Sequence, residues 1–283
     1  METKEFKSFA RKTENRKTNT WCRWNKSISL DGYGCGCAHN CSYCYAKSLL
    51  DFRHLWDPTN PAVADIEKVR KYIKKNLHEG DIVRLGIMTD PFQPIEKKHR
   101  VTYEIIKALN EQRVGYLIVT KSAMVADDEY IEIYDKDLAH FQISITCTDD
   151  ERAKTYEHAS VPSQRIAAVE KLSALGFDAC VRLSPFIPEY VDIDKINAIK
   201  CDKILIEFLK VSTWCKKWFD IDYTPYSLKV GGYNHLQLED KIRLANMITG
   251  FKEKTVGEFV REHDEYFREH YNTNKNDCCN LRK

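Results

Sequence analysis

Cys37, Cys41 and Cys44 put three thiols into eight residues of the glycine-bounded loop Gly34-Cys35-Gly36-Cys37-Ala38-His39-Asn40-Cys41-Ser42-Tyr43-Cys44-Tyr45-Ala46. At the spacing C-x3-C-x2-C they can converge on one face of a small cluster, because soft sulfur suits iron–sulfur or zinc and a short loop closes at little entropic cost. A closed electron-transfer cluster takes four cysteines, so three leave one iron open to a ligand from outside the protein. Zinc is the competing reading: Cys41, Cys44 and His39 with a remote cysteine would make a structural site. A disulfide framework fits poorly, because eleven cysteines are an odd number in a long chain and no N-terminal apolar run reads as a signal peptide. The expectation is a cytoplasmic protein with mostly free thiols. Cys35 reads as a spectator, and the adjacent Cys278-Cys279 implies no second cluster.

The elements that must carry this loop alternate. Ser27-Ile28-Ser29-Leu30 has the period of a strand and delivers the chain into the loop, with a short helix over 47–52 after it. Val63, Ile66, Val69, Ile73 and Leu77 recur at helical spacing. Strand-like runs at 82–88, 116–119, 141–145, 179–183 and 203–208 then alternate with helical stretches at 101–109, 130–134 and 162–176. Such alternation means an α/β chain with a parallel sheet and helical crossovers. Six strands with one layer of helices fit an open, partial (β/α)6 barrel of the TIM type, in which residues ending the strands face the ligand.

The organisation expected is a basic arm at 1–26, the barrel at 27–210 and an aromatic, mainly helical extension at 211–283. The arm carries Lys4, Lys7, Arg11, Lys12, Arg16, Lys17, Arg23 and Lys26, which could follow phosphates or form a solvated tail. Trp21, Cys22 and Trp24 are expected to pack on the barrel. In the extension Trp214, Trp218, Tyr223, Tyr226 and Tyr233 crowd together before helical stretches at 236–251 and 256–266, a cap for the barrel mouth or edge. The 283 residues hold 44 basic and 42 acidic side chains, a formal charge of +2, so charge arguments must be local. No stretch approaches the roughly 20 apolar residues of a membrane span.

The strand ends carry Thr89-Asp90-Pro91-Phe92-Gln93-Pro94-Ile95-Glu96, Thr120-Lys121-Ser122, Ser144-Ile145-Thr146, the run Glu157 to Arg165, and Arg182 to Pro188. In this order behind the three cysteines, over residues 28–210, they resemble the spore photoproduct lyase-like branch of the radical SAM superfamily. The resemblance implies that Cys37, Cys41 and Cys44 hold three irons of a [4Fe-4S] cluster, while the amine and carboxylate of S-adenosylmethionine (SAM) chelate the fourth. It implies Tyr43 against the adenine and SAM contacts from Thr89, Lys121 and Ser144, with Lys121 on the carboxylate and Ser144 on a ribose hydroxyl or the amino-acid moiety. Asp90 could accept from the SAM ammonium, or form the turn before Pro91. Arg165 is a second carboxylate candidate, or a solvent-facing helix residue. Arg182 sits on an apolar strand, which predicts a buried pair with SAM, substrate or Glu207.

The implied reaction is reductive cleavage of SAM to a 5'-deoxyadenosyl radical that abstracts a substrate hydrogen, of isomerase or lyase type. Its electron would come from an external one-electron reductant of the flavodoxin or ferredoxin type. Spore photoproduct lyases carry a hydrogen-donating cysteine before the strand-two hydroxyl residue; here that position is Met88, so repair of spore photoproduct is not expected. Cys147, past Ser144, is an alternative donor or a buried thiol. The branch and the basic arm point to a nucleobase in DNA or RNA, a thymine or modified pyrimidine, which must be flipped or single-stranded to enter. A peptide or small metabolite is the alternative substrate, and a zinc-stabilised nucleic-acid-binding module the non-enzymatic alternative.

Overall fold

The computed structural model describes residues 6, 8–11 and 28–281. Among the basic and aromatic residues singled out in the arm, only Arg11 falls within these. The strands of the main sheet are β1 (Phe9–Arg11), β2 (Ile28–Leu30), β3 (Ile82–Leu85), β4 (Gly115–Thr120), β5 (Ala139–Ile145), β6 (Asp178–Phe186), β7 (Lys203–Phe208) and β8 (Glu253–Val256), hydrogen-bonded in that order. β2 to β8 are parallel, and β1 adds antiparallel to β2, with Phe9 opposite Leu30. Strands in sequential order with helical crossovers make an open, partial barrel.

Period-two alternation decides its two faces. On β5, Phe141, Ile143 and Ile145 enter the main core, which includes Ala168, Val169 and Leu172 of the helix Pro162–Ala174. Gln142 points the other way, where its Nε2 donates to the Cys279 carbonyl at 3.2 Å. On β4, Tyr116 and Ile118 join that core, whereas Leu117 meets Cys279 and Leu281. The inner face is thus partly polar, and the segment ending at Leu281 enters it beside the first residues of the strands. There Lys203 Nζ donates to the Asn280 carbonyl at 2.8 Å, and Asn280 Nδ2 to Glu253 Oε2 at 3.0 Å. This closes the end opposite the cysteine loop.

Several expectations are corrected. The sheet has seven parallel strands rather than six, because β8 pairs with β7, Glu253 opposite Lys203, in the region read as a helical extension. Glu253-Lys254-Thr255-Val256 carries no apolar run that would announce a strand. The two helices expected there fall at Leu238–Asn246 and Arg261–His270, shorter or later than expected, and the aromatic stretch holds a short helix, Thr213–Trp218, and a hairpin, Leu228–Val230 with Tyr233–His235, turned by Gly231-Gly232. The strand expected over 82–88 stops at Leu85. Gly86 takes φ +87°, and a Cβ there would lie 2.2 Å from the Val119 carbonyl oxygen.

Candidate functional site

The loop between β2 and the helix Tyr45–Asp51 is built from two turns and a cap. Asn40 N–H donates to the Cys37 carbonyl at 3.0 Å and Cys44 N–H to the Cys41 carbonyl at 3.1 Å. Cys44 is the N-cap of the helix, its Sγ accepting Lys47 N–H at 3.5 Å. The loop is stitched to the chain beyond β5 by Ser42 N–H to the Tyr156 carbonyl (2.9 Å) and His158 N–H to the His39 carbonyl (2.7 Å). Gly36 packs so tightly that a Cβ would stand 1.9 Å from the Asp57 carbonyl oxygen.

Cys37 and Cys41 are buried and Cys44 is half-buried. The Cys37 thiol is pushed up to about 12 by burial, with Asp90 and Cys44 adding to it against N–H donors from Asp90 and His39. Cys41 is raised by burial, then by Glu157, Cys44 and Cys37, while the Lys121 cation opposes them. Cys44 lies close enough to both to help raise the Cys37 and Cys41 thiols, and a metal bound by them would take them as thiolates. The Lys47 N–H donor on Cys44 suits a thiolate ligand. This donor set fits an iron–sulfur cluster. His39, the nitrogen of the zinc alternative, is buried with Nδ1 3.3 Å from Asp90 Oδ2.

The strand-end residues converge around this space. Lys121, following β4, holds Nζ 5.6 Å from the Tyr43 ring centroid, and among the described residues its ammonium has no carboxylate partner within salt-bridge reach. The Tyr43 ring packs on Tyr156 and Phe219, and its hydroxyl donates to Glu157. Thr89 Oγ1 donates to the Tyr33 carbonyl at 2.7 Å, and buried Ser144 lends its carbonyl to Arg165.

Four other residues expected at the site have defined partners. Asp90 accepts from Phe92 N (2.8 Å), Thr120 Oγ1 (2.6 Å) and Lys121 N (2.7 Å), and with His39 beside it no lone pair remains for a SAM ammonium. Burial alone would raise its carboxyl, but His39, Thr120 and Lys121 hold it at about 2. It forms the turn over Pro91 through the Phe92 N–H. Arg165 is 0% exposed rather than solvent-facing. It donates to the carbonyls of Ser160 and Ser144 and to Glu157, and so ties the β5 end to the loop after it. Arg182 pairs with Glu207 and Gln142, the first being one of the partners foreseen. Cys147 is buried, its Sγ 3.4 Å from the Asp149 carbonyl oxygen, so the buried-thiol reading describes it.

Glu157 is the residue that the sequence reading passed over. It ties Tyr43, Thr146 and Arg165 together beneath Cys41, and its carboxyl stays below the usual range because Arg165 and Lys121 outweigh its burial. Glu96, also missed, is buried and accepts from Tyr33, Tyr130 (2.7 Å) and the N–H groups of Thr102 and Tyr103 (both 3.0 Å), fixing the segment after β3.

A family model described as the radical SAM superfamily matches residues 33–200. An uncharacterized protein of Mycobacterium tuberculosis is 27% identical over 173 residues, covering 58% of this chain and 51% of its own. The chain thus spans about half the length of the curated relatives of this kind. Among solved structures, a spore photoproduct lyase variant with bound AdoMet and dinucleoside spore photoproduct aligns at TM-score 0.56 and 16% identity, covering 87% of this chain and 81% of that one. Streptococcus suis SuiB bound to precursor peptide SuiA aligns at TM-score 0.54 and 12% identity, covering 86% and 54%. At these identities the structures speak for the fold.

Proposed function

This chain belongs to the radical SAM superfamily, whose members use a [4Fe-4S] cluster and S-adenosylmethionine, and from that premise we propose that it is an enzyme acting on a nucleobase in nucleic acid. The observation that carries the reading is the thiol trio with the Lys121 ammonium, unpaired among the described residues, beside Cys41 and Tyr43. Cys37, Cys41 and Cys44 would hold the cluster. When bound, the cluster and SAM supply a carbon radical able to take a hydrogen atom from an unactivated position.

The chain's own residues place and shield. Lys121 offers a cation for the SAM carboxylate, and the Tyr43 ring, held by Glu157, offers an apolar wall for the adenine. Asp90 and Arg165 fix the backbone from which these groups project. Tyr43, Tyr156, Tyr190 and Phe219, packed tilted and edge-on against one another, keep water from the space beside Cys41.

Cations and rings at the C-terminal ends of the strands support the nucleic-acid substrate. Lys210, after β7, lies 5.2 Å from the ring of the exposed Phe259, and Lys47 4.7 Å from the Trp218 ring, itself packed on Trp214. Cations follow phosphates and rings stack on bases. Met88 in place of a hydrogen-donating cysteine argues for a base modification or rearrangement other than spore photoproduct repair. An external one-electron reductant, of the flavodoxin or ferredoxin type, would load the electron.

The test is hydrogen transfer. Anaerobically reconstituted, reduced protein is incubated with SAM and oligonucleotides deuterated on their pyrimidines. Deuterium in the released 5'-deoxyadenosine is the expected result; release driven only by peptides or small metabolites overturns the nucleobase assignment.

A further inference from the structure

Gln93 is 0% exposed and sits against the first cluster cysteine. Its Oε1 accepts the N–H of Ala38, the residue after Cys37, at 3.0 Å. A backbone N–H needs an acceptor, so this bond settles which end of the amide is which. Among the described residues the Nε2 group is then a buried donor with no partner. Buried donors left unmade are costly and rare, so this one calls for an acceptor that the folded chain receives from outside.

Its setting says which. The segment carrying Gln93 lies at the Cys37 corner: the Ala38 bond sets the amide beside Cys37, Asp90 three residues earlier is near enough to lift the Cys37 thiol, and the Gln93 carbonyl accepts Glu96 N–H at 2.9 Å, which holds the residue in place. Resting on the reading that the three cysteines hold an iron–sulfur cluster, we propose that Gln93 Nε2 donates a hydrogen bond to a cluster sulfide at the Cys37 corner. An N–H donor stabilises the reduced, more negative cluster over the oxidised one and so raises its potential. Gln93 is a positioning and tuning residue in this account, and it makes the cluster easier to reduce before SAM is cleaved.

Wild type, Gln93→Glu and Gln93→Met are reconstituted anaerobically and their iron and sulfide measured. Gln93→Glu keeps the acceptor for Ala38 and loses the donor; Gln93→Met loses both. Without SAM, the reduced-to-oxidised ratio at a fixed solution potential should fall about tenfold in both, equivalent to about 59 mV for one electron. In wild type with 15N-labelled glutamine side chains, pulsed EPR of the reduced cluster should show a nitrogen coupling that both variants lack. Loaded variants with unchanged ratio and no such coupling in wild type overturn the inference alone. A coupling that appears only after SAM is added also overturns it, by assigning Nε2 to the cofactor. A wild-type protein that assembles no cluster overturns the proposed function and this inference together.

Discussion

Replacing Asp90 by asparagine should cost this protein about 3–4 kcal/mol. The carboxylate spends its oxygens on Phe92 N, Thr120 Oγ1 and Lys121 N, with His39 Nδ1 at 3.3 Å. Against burial, those partners draw its carboxyl from 3.8 to about 2. At about 1.4 kcal/mol per tenfold, that drop is worth about 2–3 kcal/mol of folded-state preference for the ionised form. Asparagine keeps one acceptor but must aim its NH2 at a protein donor, adding about 1 kcal/mol or more. Urea unfolding of the cluster-free chain at pH 7 measures the difference. Because the folded value lies below the unfolded one, the stabilisation is present above about pH 4 and is lost as pH falls towards 2. The gap between wild type and Asp90→Asn should narrow over that window. A gap under about 1 kcal/mol at pH 7, or one that persists undiminished to pH 2, would refute the reasoning.

Other perturbations have equally defined outcomes. Arg165→Met should destabilise by about 3–5 kcal/mol, because it strands the buried Glu157 carboxylate, whereas Arg165→Met with Glu157→Gln should recover part of the loss in the same unfolding assay. Gly36→Ala drives a Cβ into the Asp57 carbonyl and should cut iron bound per chain after reconstitution while leaving the far-ultraviolet circular dichroism spectrum intact. Leu281→Ala, at the closed end opposite the cysteine loop, should cost about 2–3 kcal/mol of thermal or urea stability and leave iron loading unchanged.

The fold was legible wherever strand and helix periods were carried by apolar residues. The runs around Leu117, Ile143, Val181 and Ile204 all became parallel strands. Glu253–Val256 was hidden because its pairing is set by the open edge of β7, and the plug at Cys279 to Leu281 because only tertiary structure brings it under the barrel. At the site, the thiol trio is legible because ligand spacing is local. The roles of Asp90, Arg165 and Arg182 are not, because a charged side chain's partner depends on which strands become neighbours. Arg165 lies twenty-one residues from Ser144, whose carbonyl it holds, and Glu207 twenty-five from Arg182. Glu157 and Gln93 carry no motif of their own; one is found by following the Tyr43 hydroxyl, the other by asking where a buried amide ends.

The account stands on one iron left open by three cysteines, and labelled SAM reads that position most directly. With isotopically labelled amino and carboxylate groups on SAM, electron–nuclear double resonance of the reduced, fully loaded cluster should show strong couplings from both groups and none of them in Cys37→Ala, Cys41→Ala or Cys44→Ala. A loaded wild-type cluster whose spectrum SAM leaves unchanged, or a protein that takes up zinc and no sulfide, would contradict it.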